Sequence, residues 1–154
     1  MTAKRVELKF QDHLIDSYSR QGGYARKWAS EWQGGVQDLI CSIPPIGLHL
    51  IEVKHRPTFG LHSCILNPME PLQREVAKKY LVAGGVVLLC VVGDGVDAVN
   101  STAYFFALKE LTVGVFPTTV SPDVAFYSCK YVKGDKYNVT GMAQALWRLK
   151  NEHH

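Results

Sequence analysis

The sequence predicts an α/β domain in which a central mixed β-sheet is flanked by helices. Three observations predict it. An amphipathic helical pattern opens the chain, three β-prone segments punctuated by turn residues follow, and a continuous apolar run comes after a second helix. Residues 4 to 20 read as the first helix, because Val6, Phe10 and Leu14 recur every four residues and Ile15 and Tyr18 widen the stripe. Gln21-Gly22-Gly23 ends it, since glycine accepts the left-handed cap conformation. Tyr24 to Ser30, Val36 to Ile43 and Leu48 to Val53 read as strands. Gly34-Gly35 and Pro44-Pro45-Ile46-Gly47 supply the turns between them, so residues 24 to 54 form an antiparallel meander.

Residues 57 to 68 contain Pro57, Gly60 and Pro68 and read as a loop. Pro71 to Ala83 reads as a helix, with Pro71 in its first turn, Leu72, Val76 and Tyr80 as its buried stripe, and Gly84-Gly85 at its end. Val86 to Val92 is apolar throughout and bounded by glycines, the pattern of a strand covered on both faces in the middle of a sheet. Ala103 to Leu108 and Val124 to Tyr131 are strand candidates in a stretch of mixed character. Thr140 is the expected cap of a last helix running to about Lys150, with Met142, Leu146 and Leu149 on one side.

The 154 residues fit one domain, and 47% apolar with 20% charged residues is a globular mixture. The run at Val86 to Val92 is too short to cross a bilayer, and no apolar core follows the N-terminal Met-Thr-Ala-Lys-Arg, so a cytoplasmic protein is expected. Cys41, Cys64, Cys90 and Cys129 form no CxxC or CxxH pair, which argues against zinc; Cys41 and Cys90 read as small buried hydrophobes. His49, among apolar residues, reads as a partly buried histidine with its bonds satisfied. His13 and His62 have no metal-ligand spacing, and His153 and His154 have the look of a tag remnant. Gly93-Asp94-Gly95 reads as a turn, because the lysine of a phosphate loop is missing. The net charge of +3 is small, but Lys54-His55-Arg56, Arg74 with Lys78 and Lys79, and Lys130 with Lys133 and Lys136 concentrate it in clusters that suit a polyanion.

The chemistry lies in Leu50-Ile51-Glu52-Val53-Lys54. Side chains alternate along a strand, so Glu52 and Lys54 share one face, roughly 6–7 Å apart, while Ile51 and Val53 take the other. An acid and a lysine ending an otherwise apolar strand carry a desolvation penalty that ordinary structure does not require. Asp38, in Val36-Gln37-Asp38-Leu39-Ile40, approaches Glu52 if the two strands pair through the proline turn. Two carboxylates make a hard-oxygen site for magnesium, which polarises a phosphoryl oxygen and lowers the pKa of a bound water. Lys54 then orients that water or stabilises charge on the phosphate.

Gln37-Asp38, a gap and Glu52-Val53-Lys54 resemble the PD-(D/E)XK nuclease superfamily, with Gln37 standing where proline is usual. Gly34-Gly35-Val36-Gln37-Asp38-Leu39-Ile40, together with Met69-Glu70-Pro71-Leu72-Gln73-Arg74 ahead of an apolar strand, is similar to VRR-NUC domains and to phage and archaeal Holliday-junction resolvases. The resemblance covers residues 5 to 93, and residues 94 to 154 would complete the domain. It implies a restriction-endonuclease-like fold and Asp38 and Glu52 as metal ligands. It makes Lys54 the catalytic lysine and Gln73 a side chain lining the site and helping to hold Lys54 or a water. It points to Glu7 as a further acid on the first helix that binds the metal or a second one, ahead of Asp12 and Asp16, which fall off the apolar stripe. His55 and Arg56, just past the lysine, read as phosphate contacts or else as plain exposed residues, and Arg74 and Lys78 as part of the same nucleic-acid surface.

The expected activity is magnesium-dependent DNA endonuclease, with manganese as a substitute, acting on branched or otherwise structured DNA. The resemblance also implies a homodimer, and the compact size suits a phage protein. Two other readings stay open: a non-cleaving DNA-binding or accessory protein on the same fold, and a sequence-specific restriction-type enzyme.

Overall fold

A computed structural model describes residues 3–28, 38–60, 65–66, 71–93, 100–108 and 119–152. Helix α1 (Ala3–Arg20) leads into β1 (Tyr24–Lys27), β2 (Leu39–Ile43) and β3 (Gly47–His55), and these are followed by β4 (Ile65–Leu66), α2 (Pro71–Val82) and β5 (Val87–Gly93). The chain ends with β6 (Thr102–Leu108), β7 (Thr119–Val120), a 3₁₀ turn at Pro122–Val124, β8 (Tyr127–Lys130) and α3 (Val139–Asn151). Six strands form one open sheet in the order β1-β2-β3-β5-β6-β8, and β4 pairs with β7 apart from it. Only β3 and β5 are parallel; every other pairing is antiparallel, so the sheet is mixed. The chain is therefore α/β, as its hydrophobic periodicity predicts. No helix among the described residues is long and apolar enough to cross a membrane.

The two faces of the sheet are covered differently. Phe10, Leu14 and Tyr18 of α1 and Met142, Ala143 and Leu146 of α3 pack on Leu39, Cys41, Ile51, Val53, Leu88, Cys90, Val92, Ala103 and Phe105. The opposite face meets α2 through Ala77 and Leu81, which pack on Leu50, Val87 and Leu108. Farther along that face, Phe59, Tyr104 and Phe106 close over Leu89 and Val91. Strand β5 is buried along its whole length, which explains its continuous apolar run.

Three expectations are corrected. Leu72 is 53% exposed, and α2 seats Ala77 and Leu81 instead of Leu72 and Val76. The cap of α3 is Asn138, whose Oδ1 accepts the Gly141 N–H at 2.9 Å; Thr140 donates its N–H and hydroxyl to Gln21 Oε1. The expected loop at 57–68 contains the short β4, and the part of it at 61–64 and 67–68 lies outside the described residues. So do the segment 29–37 with Gln37, and Cys64, His62, Asp94, Gly95, His153 and His154. Gly22 and Gly84 both take positive φ just past their helices, as the glycine stops require.

His49 is fully buried and satisfied on both ring nitrogens. Its Nδ1 lies 2.7 Å from the Gly47 carbonyl, which can only accept, so Nδ1 carries the proton and Nε2 accepts the Tyr18 hydroxyl at 2.6 Å. Burial pushes the imidazole down to about 4, so the folded chain holds it neutral where the unfolded chain would charge it. The native state then binds fewer protons between about pH 4 and 6.5, and this contribution to stability is lost as pH falls through that window. Tyr18→Phe leaves Nε2 buried without a donor. Urea unfolding at pH 7 should show a loss of about 1–3 kcal/mol.

Candidate active site

The ladder between β2 and β3 stops at Leu39 opposite Ile51. The next position outward holds Asp38, in a bend just before β2 rather than within the strand. Beyond that point no strand among the described residues pairs with β3 on that side. The even-numbered amides of β3 face β5, as the Leu50 N–H to Val86 and Arg56 N–H to Val92 bonds show at its two ends. The odd-numbered amides face the opposite edge, and carboxylates accept two of them. Asp38 Oδ2 takes the Val53 N–H at 2.8 Å, and Glu7 Oε1 takes the His55 N–H at 3.3 Å.

Glu52 and Lys54 both project to the α2 face, as alternation requires. Glu52 lies in register with Leu89 and Phe106, and Lys54 with Val91 and Tyr104. These apolar neighbours exclude water, leaving the Glu52 side chain 1% exposed and that of Lys54 15%. Lys54 Nζ sits 3.4 Å from Glu52 Oε2 as an ion pair, yet neither carboxyl oxygen of Glu52 has a hydrogen-bond partner among the described residues. Burial first, and then the adjoining Asp38 carboxyl, drive the Glu52 acid up to about 9; Lys54 only partly offsets them.

The structure thus brings Asp38, Glu52 and Lys54 together. Gln73 lies one turn before Ala77 on the stripe of α2 that meets this same face, and is half-buried. Arg74 and Lys78, one position farther round, are half-buried and form no ion pair among the described residues. Glu7 forms no metal-ligating cluster with Asp38 and Glu52 among the described residues. Its helix packs on the other face of the sheet, and its carboxylate engages the end of β3 and lies 3.7 Å from Arg56 Nη1. His55 is corrected as a phosphate contact: it points to the α1 face, packs at a tilt against Phe10 with ring centroids 5.1 Å apart, and is buried. Arg56 keeps a 45% exposed side chain.

Trp28 was not singled out by its residue type, yet it belongs to the site's surroundings. Its N–H donates to the Asp38 carbonyl at 2.9 Å, and its half-buried ring packs against the Leu50, Ala77 and Leu81 cluster. The alternation of β1, with Ala25 buried on the α1 face, is the signal that places Trp28 on the other. The wall of Phe59, Tyr104 and Phe106 is equally silent in the sequence, because neither the loop pattern at 57–68 nor the mixed stretch at 101–132 ties them to Glu52.

Chemically, two carboxylates and an ammonium meet here in a dry setting. Among the described residues no three metal-ligating side chains come together. Two carboxylates suffice for magnesium, which commonly keeps the rest of its octahedral shell for water and phosphate oxygens. The unpartnered oxygens of Glu52 fit a hard cation, which would supply the contacts they lack. No protein-family model matches the chain, and no curated protein matches it.

Proposed function

We propose that the chain is a magnesium-dependent DNA endonuclease on a PD-(D/E)XK core, hydrolysing phosphodiester bonds in branched or otherwise structured DNA. The observation that carries this reading is the Glu52 carboxyl: buried, without hydrogen-bond partners among the described residues, and set between Asp38 and Lys54. A buried acid whose neighbours are a second carboxyl and one lysine at 3.4 Å carries a desolvation penalty that a bound cation would offset. The order of helix, antiparallel meander, helix and parallel strand also agrees with a restriction-endonuclease-like fold.

In this reading Asp38, through the oxygen not bonded to Val53, and Glu52 hold magnesium or manganese. Such an ion, when bound, would supply polarisation of the phosphoryl group and a more acidic water. The chain's own residues do the rest. Asp38 is fixed by the Val53 amide, so its free oxygen is presented in one orientation. Lys54, beside Glu52 at 3.4 Å, would direct its ammonium at the attacked phosphate and steady the charge that develops there. Arg56, Arg74 and Lys78 supply cationic contacts to the backbone, and Gln73 borders the site from α2. Two copies acting as a dimer would give paired cuts.

Incubation with branched, nicked and linear DNA in magnesium, in manganese and in EDTA tests this. Branched DNA should be cut fastest, and only with a divalent ion. Absence of cleavage in every metal sinks the enzyme reading. Tight metal-independent DNA binding without cleavage would make the chain a non-cutting accessory protein instead.

A further inference from the structure

We propose that Glu7 is a positioning residue for Arg56, and that the pair forms a grip for the DNA phosphate next to the one attacked at Lys54. This rests on the nuclease reading. Three observations carry it. First, Glu7 Oε1 is already engaged, by the His55 N–H at 3.3 Å and by the Arg56 guanidinium at 3.7 Å. Second, Arg56 Nη1 donates to the His55 carbonyl at 2.7 Å, so the guanidinium is held from two sides at the end of β3. Third, the side chain is nevertheless 45% exposed. A guanidinium has five N–H donors in a fixed fork, and these contacts leave most of them for a ligand.

Placement selects the ligand. Arg56 follows Lys54 by two residues, just past the end of β3 but with its N–H still bonded to the Val92 carbonyl, so it lies roughly 6–7 Å farther along the line of the strand. A polyanion with regularly spaced charges can meet both cations at once, and a fork pre-set by Glu7 matches a phosphate's paired oxygens better than a free side chain does. Glu7 reaches Arg56 from α1 along the amide edge of β3, and among the described residues it forms no metal-ligating cluster with Asp38 and Glu52, so it acts through Arg56 rather than on the cation.

A double-mutant cycle on the full chain separates these roles, with KM and kcat for branched DNA in magnesium and Mn2+ affinity by calorimetry as readouts. Arg56→Ala should raise KM about tenfold with kcat nearly unchanged, and lower the salt slope of kcat/KM by about one. Arg56→Lys should recover little of this, because a lysine keeps the charge but loses the fork. Glu7→Ala should raise KM severalfold in the wild-type background and hardly at all in Arg56→Ala, with Mn2+ affinity unchanged in both. Circular-dichroism melts identify any variant that fails to fold. Glu7→Gln, which keeps an acceptor for the His55 N–H, then stands in for Glu7→Ala and should likewise spare Mn2+ binding. Weaker Mn2+ binding in a folded Glu7 variant, or additive effects on KM, would overturn the proposal while leaving the nuclease reading intact. A wild-type chain that neither binds nor cuts DNA would overturn both.

Discussion

Lys54→Ala is expected to slow magnesium-dependent DNA cleavage by at least about a hundredfold, while the protein stays folded and still binds Mn2+. The Lys54 side chain is mostly buried, 15% exposed, so its truncation removes some packing of the stem, but its 3.4 Å contact with Glu52 is a long one. Removing the ammonium from the metal-free chain leaves Glu52 more firmly protonated, a neutral state that the buried setting tolerates. The larger loss should therefore fall on the reaction, and a circular-dichroism melt of the variant separates it from the loss of packing. In kinetic terms, kcat should drop with KM little changed, because the interaction removed matters most when charge accumulates on the phosphate. Lys54→Arg should restore only part of the rate, since the planar fork cannot occupy the volume of a compact ammonium beside Glu52. A Lys54→Ala protein that cuts at the wild-type rate would remove the lysine from the mechanism.

The legible parts of the fold are those with long, regular patterns. The stripe of Phe10, Leu14 and Tyr18, the run that became β5, and the Met142–Leu146 side of α3 each repeat often enough to define a face. The two-residue strands β4 and β7 have no period to read. Helix α2 misled because its residues offer two apolar stripes about one residue apart, Leu72–Val76–Tyr80 and Ala77–Leu81, and only the sheet chooses between them. Within the site, alternation along β3 correctly joined Glu52 to Lys54. The same alternation, carried one residue further, sets His55 on the α1 face, against Phe10. Glu7 was different. Its partners, the His55 amide and Arg56, lie about fifty residues away, and their availability depends on where the β2 ladder ends. No local pattern encodes that.

Glu52→Gln should abolish cleavage and at the same time make the metal-free protein more stable, increasingly so as pH rises. The carboxyl ionises near 4.5 in an unfolded chain but keeps its proton to about 9 in the folded one, because burial and Asp38 disfavour the anion. Between those values the native state binds the extra proton. The contribution of Glu52 to stability is thus fully present below pH 4.5 and is lost as pH climbs toward 9, at up to about 1.4 kcal/mol per pH unit. Glutamine is nearly the same shape and never ionises. Its amide can donate toward Asp38 and accept from Lys54, the contacts a carboxylate cannot make together. In EDTA the variant should match the wild type near pH 5 and exceed it by on the order of a few kcal/mol at pH 8 in urea unfolding. Subtracting the wild-type curve from the variant curve removes the other titrating groups, His49 included. Saturating Mn2+ should reverse the order, since a ligand that binds only the native wild type stabilises it through mass action, and the variant has lost a metal ligand. Equal pH slopes for the two proteins in EDTA would mean that Glu52 is not held in the strained state on which the proposed metal site depends.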